Sequence, residues 1–74
     1  MNKSEFIAKL DELMQLPKGT LQGNEHLEGL QSWDSITVMG YIALVNGTLK
    51  KRVAGKDVTS CKTVGELVSL AGVE

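Results

Sequence analysis

The 74-residue sequence has few of the residues from which metal centres and catalytic sites are usually built. Cys61 is the only cysteine and His26 the only histidine, so an intramolecular disulfide is impossible and a cysteine-based metal site has too few ligands. A serine–histidine dyad would need the loop around His26 to fold back over Ser35, and the Gly-x-Ser-x-Gly pattern of a nucleophile elbow is missing there. We expect neither a metal site nor enzymatic activity in this chain.

Neither positive nor negative charge predominates in the sequence, and long apolar runs are absent. Eight basic and nine acidic residues give a formal net charge of −1, which provides no electrostatic attraction for nucleic acid. No apolar run approaches the roughly 20 residues that cross a bilayer, and Lys3, Glu5 and Lys9 interrupt the region where a signal peptide would be apolar. We expect a cytoplasmic monomer that neither binds nucleic acid nor inserts into a membrane.

What the sequence does contain is the composition of a small globular domain. Hydrophobic residues make up 42% of the chain and charged residues 23%, which suffices for one buried core but not for two. We therefore expect residues 1–74 to form a single domain. No internal repeat and no low-complexity segment divides it.

The first predicted helix covers residues 4–16, with Ser4 as candidate N-cap and Leu16-Pro17 as the stop. Its charged residues, Asp11 among them, are expected on the surface. A long loop follows to about residue 33, and leucines and Trp33 are expected to pin it to the core. The apolar stripe of the helix consists of Phe6, Ile7, Leu10, Leu13 and Met14.

The second predicted helix covers residues 35–49 and is apolar on most sides, which is typical of a central helix. Its deepest stripe is expected to be Ile42, Val45 and Leu49. Gly47 either lies inside the helix or ends it early in a left-handed conformation.

Two further helices are predicted after the basic run 50–52. A turn or two of helix lies within residues 53–62, begun by Asp57, and the last helix opens with a capping box formed by Thr63 and Glu66 and closes at Gly72. The fold class is thus an all-α bundle of three main helices and one short helix, with a long loop between helices 1 and 2.

Asp34 and Ser35 lie at the junction between the long loop and the most apolar helix. Both residue types are favoured N-caps, a role worth about 1 kcal/mol. The first turn of a helix also presents free N–H groups and the positive end of the helix dipole. On the pair alone, capping is the simplest interpretation.

The surrounding segment, Trp33-Asp34-Ser35-Ile36 followed by an apolar helix, resembles the Asp-Ser-Leu signature of acyl carrier proteins. The resemblance extends over nearly the whole chain. An amphipathic first helix, a loop with Leu27 and Leu30 before the serine, the short element near Asp57 and the run 61–68 are all similar to discrete members of this family.

The resemblance implies that a phosphopantetheinyl transferase, with coenzyme A and magnesium, attaches 4'-phosphopantetheine to Ser35. Asp34 matches the adjacent aspartate, which in the family helps to present the serine and to dock the transferase. The arm would carry acyl groups as thioesters between loading and processing enzymes of fatty-acid, polyketide or specialised acyl biosynthesis.

The resemblance also implies a place for the acyl chain and a face for partner enzymes. Family members shelter the chain between the second helix and the later ones. The corresponding positions here are Ile42, Val45, Val53, Val58, Cys61 and Val64.

The second helix departs from the family in its charge. No acidic residue occurs between Ser35 and Leu49, whereas family members carry a strongly acidic second helix. We therefore expect partners to dock on a mostly apolar and hydroxyl-bearing face formed by Ile36, Thr37, Met39, Gly40 and Tyr41.

Two other functions fit the same residues. A peptidyl carrier protein shares the fold and the prosthetic group, although the free-standing length favours an acyl carrier. A non-catalytic helical module that only binds a partner would use Ser35 as a helix cap, and it predicts no modification.

Overall fold

The computed structural model describes residues 1–73, and Glu74 lies outside it. These residues contain four α-helices and one 3₁₀ turn, which are joined by loops. The helices are α1 (Lys3–Leu13), α2 (Ser35–Leu49), α3 (Gly55–Thr59) and α4 (Val64–Ala71), and the 3₁₀ turn spans Leu27–Gly29. The predicted all-α bundle of three main helices and a short one is confirmed. Within residues 1–73, none of these helices combines the length and the apolar character that a membrane crossing requires.

Helix α1 begins earlier and ends earlier than predicted. Asn2, not Ser4, is its N-cap: Asn2 Oδ1 accepts the Glu5 N–H at 2.8 Å, and Glu5 Oε1 accepts the Asn2 N–H at 3.1 Å. This reciprocal pair satisfies two N–H groups that have no partner within the helix. The helix stops before residue 16 because Met14 is the C-cap and Gln15 turns to a φ of 59°.

Asp11 anchors the long loop to α1. We predicted this residue on the surface, but its side chain is only 2% exposed. Its carboxylate accepts the Gly19 N–H and the Leu21 N–H, each at 3.0 Å. Buried N–H groups need such partners, so the prediction was wrong because the loop covers this face of α1. The predicted loop pins are confirmed, since Leu21 and Leu27 are buried and Leu30 and Trp33 pack against the core.

The same loop is tied at a second point to the start of α4. His26 and Thr63 form an antiparallel backbone pair, in which the Leu27 N–H donates to the Lys62 carbonyl at 2.8 Å and the Val64 N–H to the Glu25 carbonyl at 3.0 Å. Two segments that are far apart in the sequence are thereby held side by side.

Tyr41 lies at the centre of the core and is 0% exposed. Its ring meets Phe6 of α1 and Trp33 of the loop edge-on, with centroid distances of 6.1 Å and 6.5 Å. Its hydroxyl donates to the Leu67 carbonyl of α4 at 2.5 Å. One side chain therefore joins α1, α2, α4 and the loop.

The buried side of α2 differs from the predicted stripe. Thr37, Tyr41 and Val45 face the core, whereas Ile42 and Leu49 are only half-buried. Only Val45 of the predicted stripe is thus fully buried. Relative to this prediction, α2 is rotated so that Tyr41, the largest side chain of the helix, fills the space between the other elements.

The ends of α2, α3 and α4 agree only partly with the predicted ones. Gly47 lies inside α2, which ends at Leu49 with Lys50 in the left-handed conformation. Helix α3 begins at Gly55 rather than at Asp57, with Ala54 as N-cap. For α4, Thr63 Oγ1 accepts the Glu66 N–H at 3.2 Å, which confirms the Thr63 half of the predicted capping box, and Gly72 closes the helix as predicted.

Gly47 and Gly65 both lie in helices but have different surroundings. We therefore expect alanine to have opposite effects on stability at the two positions. At Gly47 an added Cβ meets no atom within 4 Å, so Gly47→Ala should raise the free energy of unfolding by about 0.5–1 kcal/mol through helix propensity. At Gly65 it would lie 2.9 Å from the Gly23 carbonyl oxygen, so Gly65→Ala should lower that free energy by roughly 1 kcal/mol as the loop is displaced. Urea unfolding followed by circular dichroism measures both, and a shift of both variants in the same direction would contradict the packing described here.

Candidate functional site

Asp34 is the N-cap of helix α2. Its backbone is extended, and its Oδ1 accepts the Thr37 N–H at 3.0 Å. The Thr37 hydroxyl lies 3.0 Å from the same oxygen and 2.6 Å from the Ser32 carbonyl, and shares its single proton between them. The turn between the loop and α2 is therefore held by a small hydrogen-bonded network.

Ser35 is the first residue of the helix and not its cap. Its side chain is exposed, and its hydroxyl forms no hydrogen bond with any of residues 1–73. The expectation that Ser35 caps the helix is therefore wrong, because Asp34 takes that role. The Ser35 hydroxyl remains available to solvent and to other molecules.

The electrostatic state of Asp34 follows from its capping contacts. The Thr37 N–H, and then the Thr37 hydroxyl, lower the pKa of the Asp34 carboxyl below its ordinary value, because hydrogen bonds to the ionised form favour that form. The residue next to Ser35 is thus a carboxylate whose negative charge is directed into the first turn of α2.

Only part of the predicted partner face lies on the surface. Ile36 and Met39 are 78% and 70% exposed. Thr37 is buried because its hydroxyl is bonded within the turn. Tyr41 is buried because its ring fills the core. Gly40 is half-buried under Leu13, whose Cδ1 would lie 2.5 Å from a Cβ at that position. The exposed apolar part of the predicted face is therefore Ile36 and Met39.

The predicted acyl-chain residues mostly belong to the packed core. Val45, Val58 and Val64 are fully buried and Val53 nearly so. Ile42 is half-buried and packs against the same core. None of these five lines the cleft that lies between the loop and the link from α3 to α4, and only Cys61 of the predicted set does.

That cleft encloses about 680 Å³ between the loop and the link from α3 to α4. Its walls are residues 26–28 on one side and residues 59–62 on the other, with Trp33 beside them. Sequence reasoning missed it because its walls come from two distant segments with no shared periodicity. The closeness of Trp33 to Ser35 in the chain was the one available signal.

Cys61 faces this cleft as a thiol rather than a thiolate. Burial, and then the negative charges of Glu66 and Asp57, raise the pKa of the thiol above its ordinary value. Its Sγ also lies 3.5 Å from the Asp57 carbonyl, to which the protonated form donates. The raised pKa makes the Cys61 thiol a weak nucleophile at neutral pH.

Comparison with known proteins yields no relative: no protein-family model, no curated protein and no solved structure matches this chain. The interpretation of the site therefore depends on the residues around Ser35 and on their geometry.

The lowered pKa of Asp34 predicts a pH dependence of stability. Since the folded pKa lies below the unfolded value of about 4, the carboxylate stabilises the fold above that pH, and the contribution is lost as the pH falls through the folded pKa. Asp34→Asn can still cap α2 but does not ionise. In thermal unfolding below about pH 5, the wild type should lose more stability than Asp34→Asn, and parallel curves would contradict the capping role of the charge.

The raised pKa of Cys61 predicts slow alkylation. At about pH 8 iodoacetamide should react more slowly with Cys61 than with a free cysteine. Glu66→Gln removes a negative charge near the thiol and should move the pH profile of the rate to lower pH, whereas Glu28→Gln, on the same cleft, serves as the control. Identical profiles for the wild type and Glu66→Gln would show that this charge does not act on the thiol.

Proposed function

We propose that this chain is a discrete acyl carrier protein that is modified with 4'-phosphopantetheine at Ser35. The observation that carries the proposal is the exposed Ser35 hydroxyl, which has no hydrogen-bond partner among residues 1–73 although it stands beside a fully engaged cap. The Ser35 hydroxyl is accessible to a modifying enzyme and is not needed for the turn. Here Asp34 and Thr37 do that work.

The position of Ser35 suits a phosphodiester. It is the first residue of a 15-residue helix, where the dipole and the N–H groups of the first turn favour a negative group. The Asp34 carboxylate is turned toward Thr37, so part of its charge is already compensated by hydrogen bonds. The residues present therefore fit an anionic group on the Ser35 oxygen.

The role of the chain in loading is limited to presenting one atom. A phosphopantetheinyl transferase, with coenzyme A and magnesium, would take the proton of the Ser35 hydroxyl while the oxygen forms a new bond to phosphorus and the nucleotide part of coenzyme A leaves. When bound, the arm supplies a thiol that holds acyl groups as thioesters. Asp34 would hold the first turn of α2 in place, so that Ser35 is presented on a rigid element.

We assign the chemistry on the acyl group to partner enzymes of fatty-acid, polyketide or specialised acyl biosynthesis, and we infer a cytoplasmic carrier. Ile36 and Met39 are the exposed apolar side chains next to Ser35 and supply the nearest contact surface for such partners. A peptidyl carrier is the closest alternative function, because it would use the same serine and the same arm.

A non-catalytic partner-binding module remains the alternative of a different class. Exposure of Ile36 and Met39 at the start of α2 favours it independently of Ser35, because large exposed apolar side chains grouped together often mark contact sites. It differs from the carrier proposal in predicting no modification.

An intact-mass measurement tests the proposal. The wild type is incubated with coenzyme A, magnesium and a broad-specificity phosphopantetheinyl transferase, and should gain the mass of one phosphopantetheine group. Ser35→Ala should gain nothing. Ser32→Ala is the matched control, since Ser32 contributes its backbone carbonyl and not its hydroxyl to the turn, and it should be modified like the wild type.

Two outcomes would contradict the carrier function. One is a wild type that gains no mass with transferases that modify a known carrier in the same assay. The other is an equal gain in Ser35→Ala, which would place the modification on a different residue.

A further inference from the structure

One side of helix α2 lies in solvent although the helix is apolar on most sides. A helix of that composition is normally covered all round, but the core covers only the side with Tyr41 and Val45. The opposite side is here termed the outer seam. It consists of the exposed residues Ile36, Met39, Ala43 and Asn46 and the exposed C-cap Lys50.

The spacing of the outer seam is that of a helix–helix contact. Its five residues follow one another at intervals of 3, 4, 3 and 4 residues, which is the alternation found along the contact line of a coiled coil. Helix α1 has no such line in solvent, because its exposed residues are mainly charged: Lys3, Ser4, Glu5, Lys9 and Glu12. The outer seam therefore has the pattern of a surface that packs against another helix.

The size of the side chains changes along the outer seam. Ile36 and Met39 are large and exposed, whereas Ala43 is small, and a Cβ at Gly47 would meet no atom within 4 Å. If a second copy of α2 runs in the opposite direction and crosses at the level of Tyr41, Met39 of each copy meets Ala43 of the other. Ile36 then meets the open space at Gly47. Each contact occurs twice, as a two-fold symmetric pair requires.

The charges at the two ends of α2 favour the same direction. No charged residue occurs between Ser35 and Leu49. The Asp34 carboxylate lies at the N-terminal end, and the exposed cations of residues 50–52 lie at the C-terminal end. A parallel pair would bring the two Lys50 ammonium groups together, whereas an antiparallel pair brings the acidic end of one copy beside the basic end of the other. The helix dipoles also oppose each other in the antiparallel pair.

We propose that the outer seam of α2 binds the outer seam of a second copy of this chain, in an antiparallel dimer with two-fold symmetry. The contact is small compared with the roughly 20–30 residues that each partner contributes to a standard interface, so the dimer forms only at high protein concentration. This inference goes beyond the proposed function and does not depend on it, because neither the Ser35 hydroxyl nor an arm takes part. It replaces the sequence-based expectation of a monomer.

Sedimentation equilibrium of the unmodified wild type tests the association. The weight-average mass should rise from the 8.0 kDa of the monomer toward twice that value as the protein concentration is raised from about 10 µM to about 1 mM, the range in which weak complexes form. A mass that stays at the monomer value over this range would overturn the inference.

Variants of the outer seam test where the two copies meet. Met39→Glu removes two apolar contacts per dimer and should weaken association at least about tenfold, whereas Thr48→Glu adds the same charge to an exposed position of α2 outside the seam and should associate like the wild type. Ala43→Gln fills the space that Met39 of the other copy enters and should weaken association at least about fivefold. Its matched control is Ala54→Gln, at an exposed alanine outside α2.

Circular dichroism verifies that each of these variants folds. Equal association of the wild type and of both seam variants would show that the copies meet at another surface, and would overturn the inference.

A spin label tests the direction of the two helices. Cys61→Ser removes the natural thiol, and Thr48→Cys then carries the label near the C-terminal end of α2. The labelled protein is mixed with unlabelled, ¹⁵N-enriched wild type. An antiparallel dimer should broaden the amide signals of residues 34–37 in the enriched copy, whereas broadening centred on residues 46–50 would indicate a parallel pair and overturn the inference. The labelled protein that also carries Met39→Glu is the control and should cause no broadening.

The two proposals fail independently in these experiments. A wild type that gains no phosphopantetheine contradicts the carrier function but leaves the mass and spin-label measurements unaffected, because both use unmodified protein. A wild type that stays monomeric up to about 1 mM overturns the dimer and leaves the carrier function intact.

Discussion

The buried phenol of Tyr41 is the constraint on which the rest of the structure depends. A hydroxyl that is removed from water needs a hydrogen-bond partner, and Tyr41 finds it in the Leu67 carbonyl of α4. Burial also raises the pKa of this phenol well above its ordinary value, so it remains a donor. Because the ring is held between Phe6 and Trp33, the orientation of α2 about its own axis is fixed. That rotation turns Ile36 and Met39 outward and leaves Ser35 at the surface.

The long loop matters as much as the helices, because it brings the cleft and the start of α2 together. It is polar in sequence and holds its shape mainly through hydrogen bonds. Asp11 accepts two of its N–H groups, and Glu25 accepts the N–H groups of Gln22 and Gly23 at 2.7 Å and 2.9 Å. The pairing with residues 62–64 then places one wall of the cleft against the other. A change in the loop would therefore alter the surroundings of Ser35 without touching Ser35.

The proposed site divides its roles among neighbouring residues. Asp34 and Thr37 complete the turn, so the turn does not use the Ser35 hydroxyl. The neutral α2 suits docking through apolar contact at Ile36 and Met39. The nearest charges along the chain are the Asp34 carboxylate at its N-terminal end and the exposed cations Lys50, Lys51 and Arg52 at its C-terminal end. A carrier of this kind would select partners mainly by shape and apolar fit along α2.

The sequence by itself determined the number of helices, the bounds of α2, the Thr63 cap of α4 and the position of Ser35 at a helix start, because these depend on periodicity and on contacts between residues close in the chain. It did not determine which side of α2 is buried. A helix that is apolar on most sides carries no preferred face, so Tyr41 and Thr37 were assigned to the surface. The burial of Asp11 was missed for a related reason, since its partners Gly19 and Leu21 lie in a loop without periodicity. Only the tertiary structure decided these features and the cleft, because each arises where segments distant in sequence pack together.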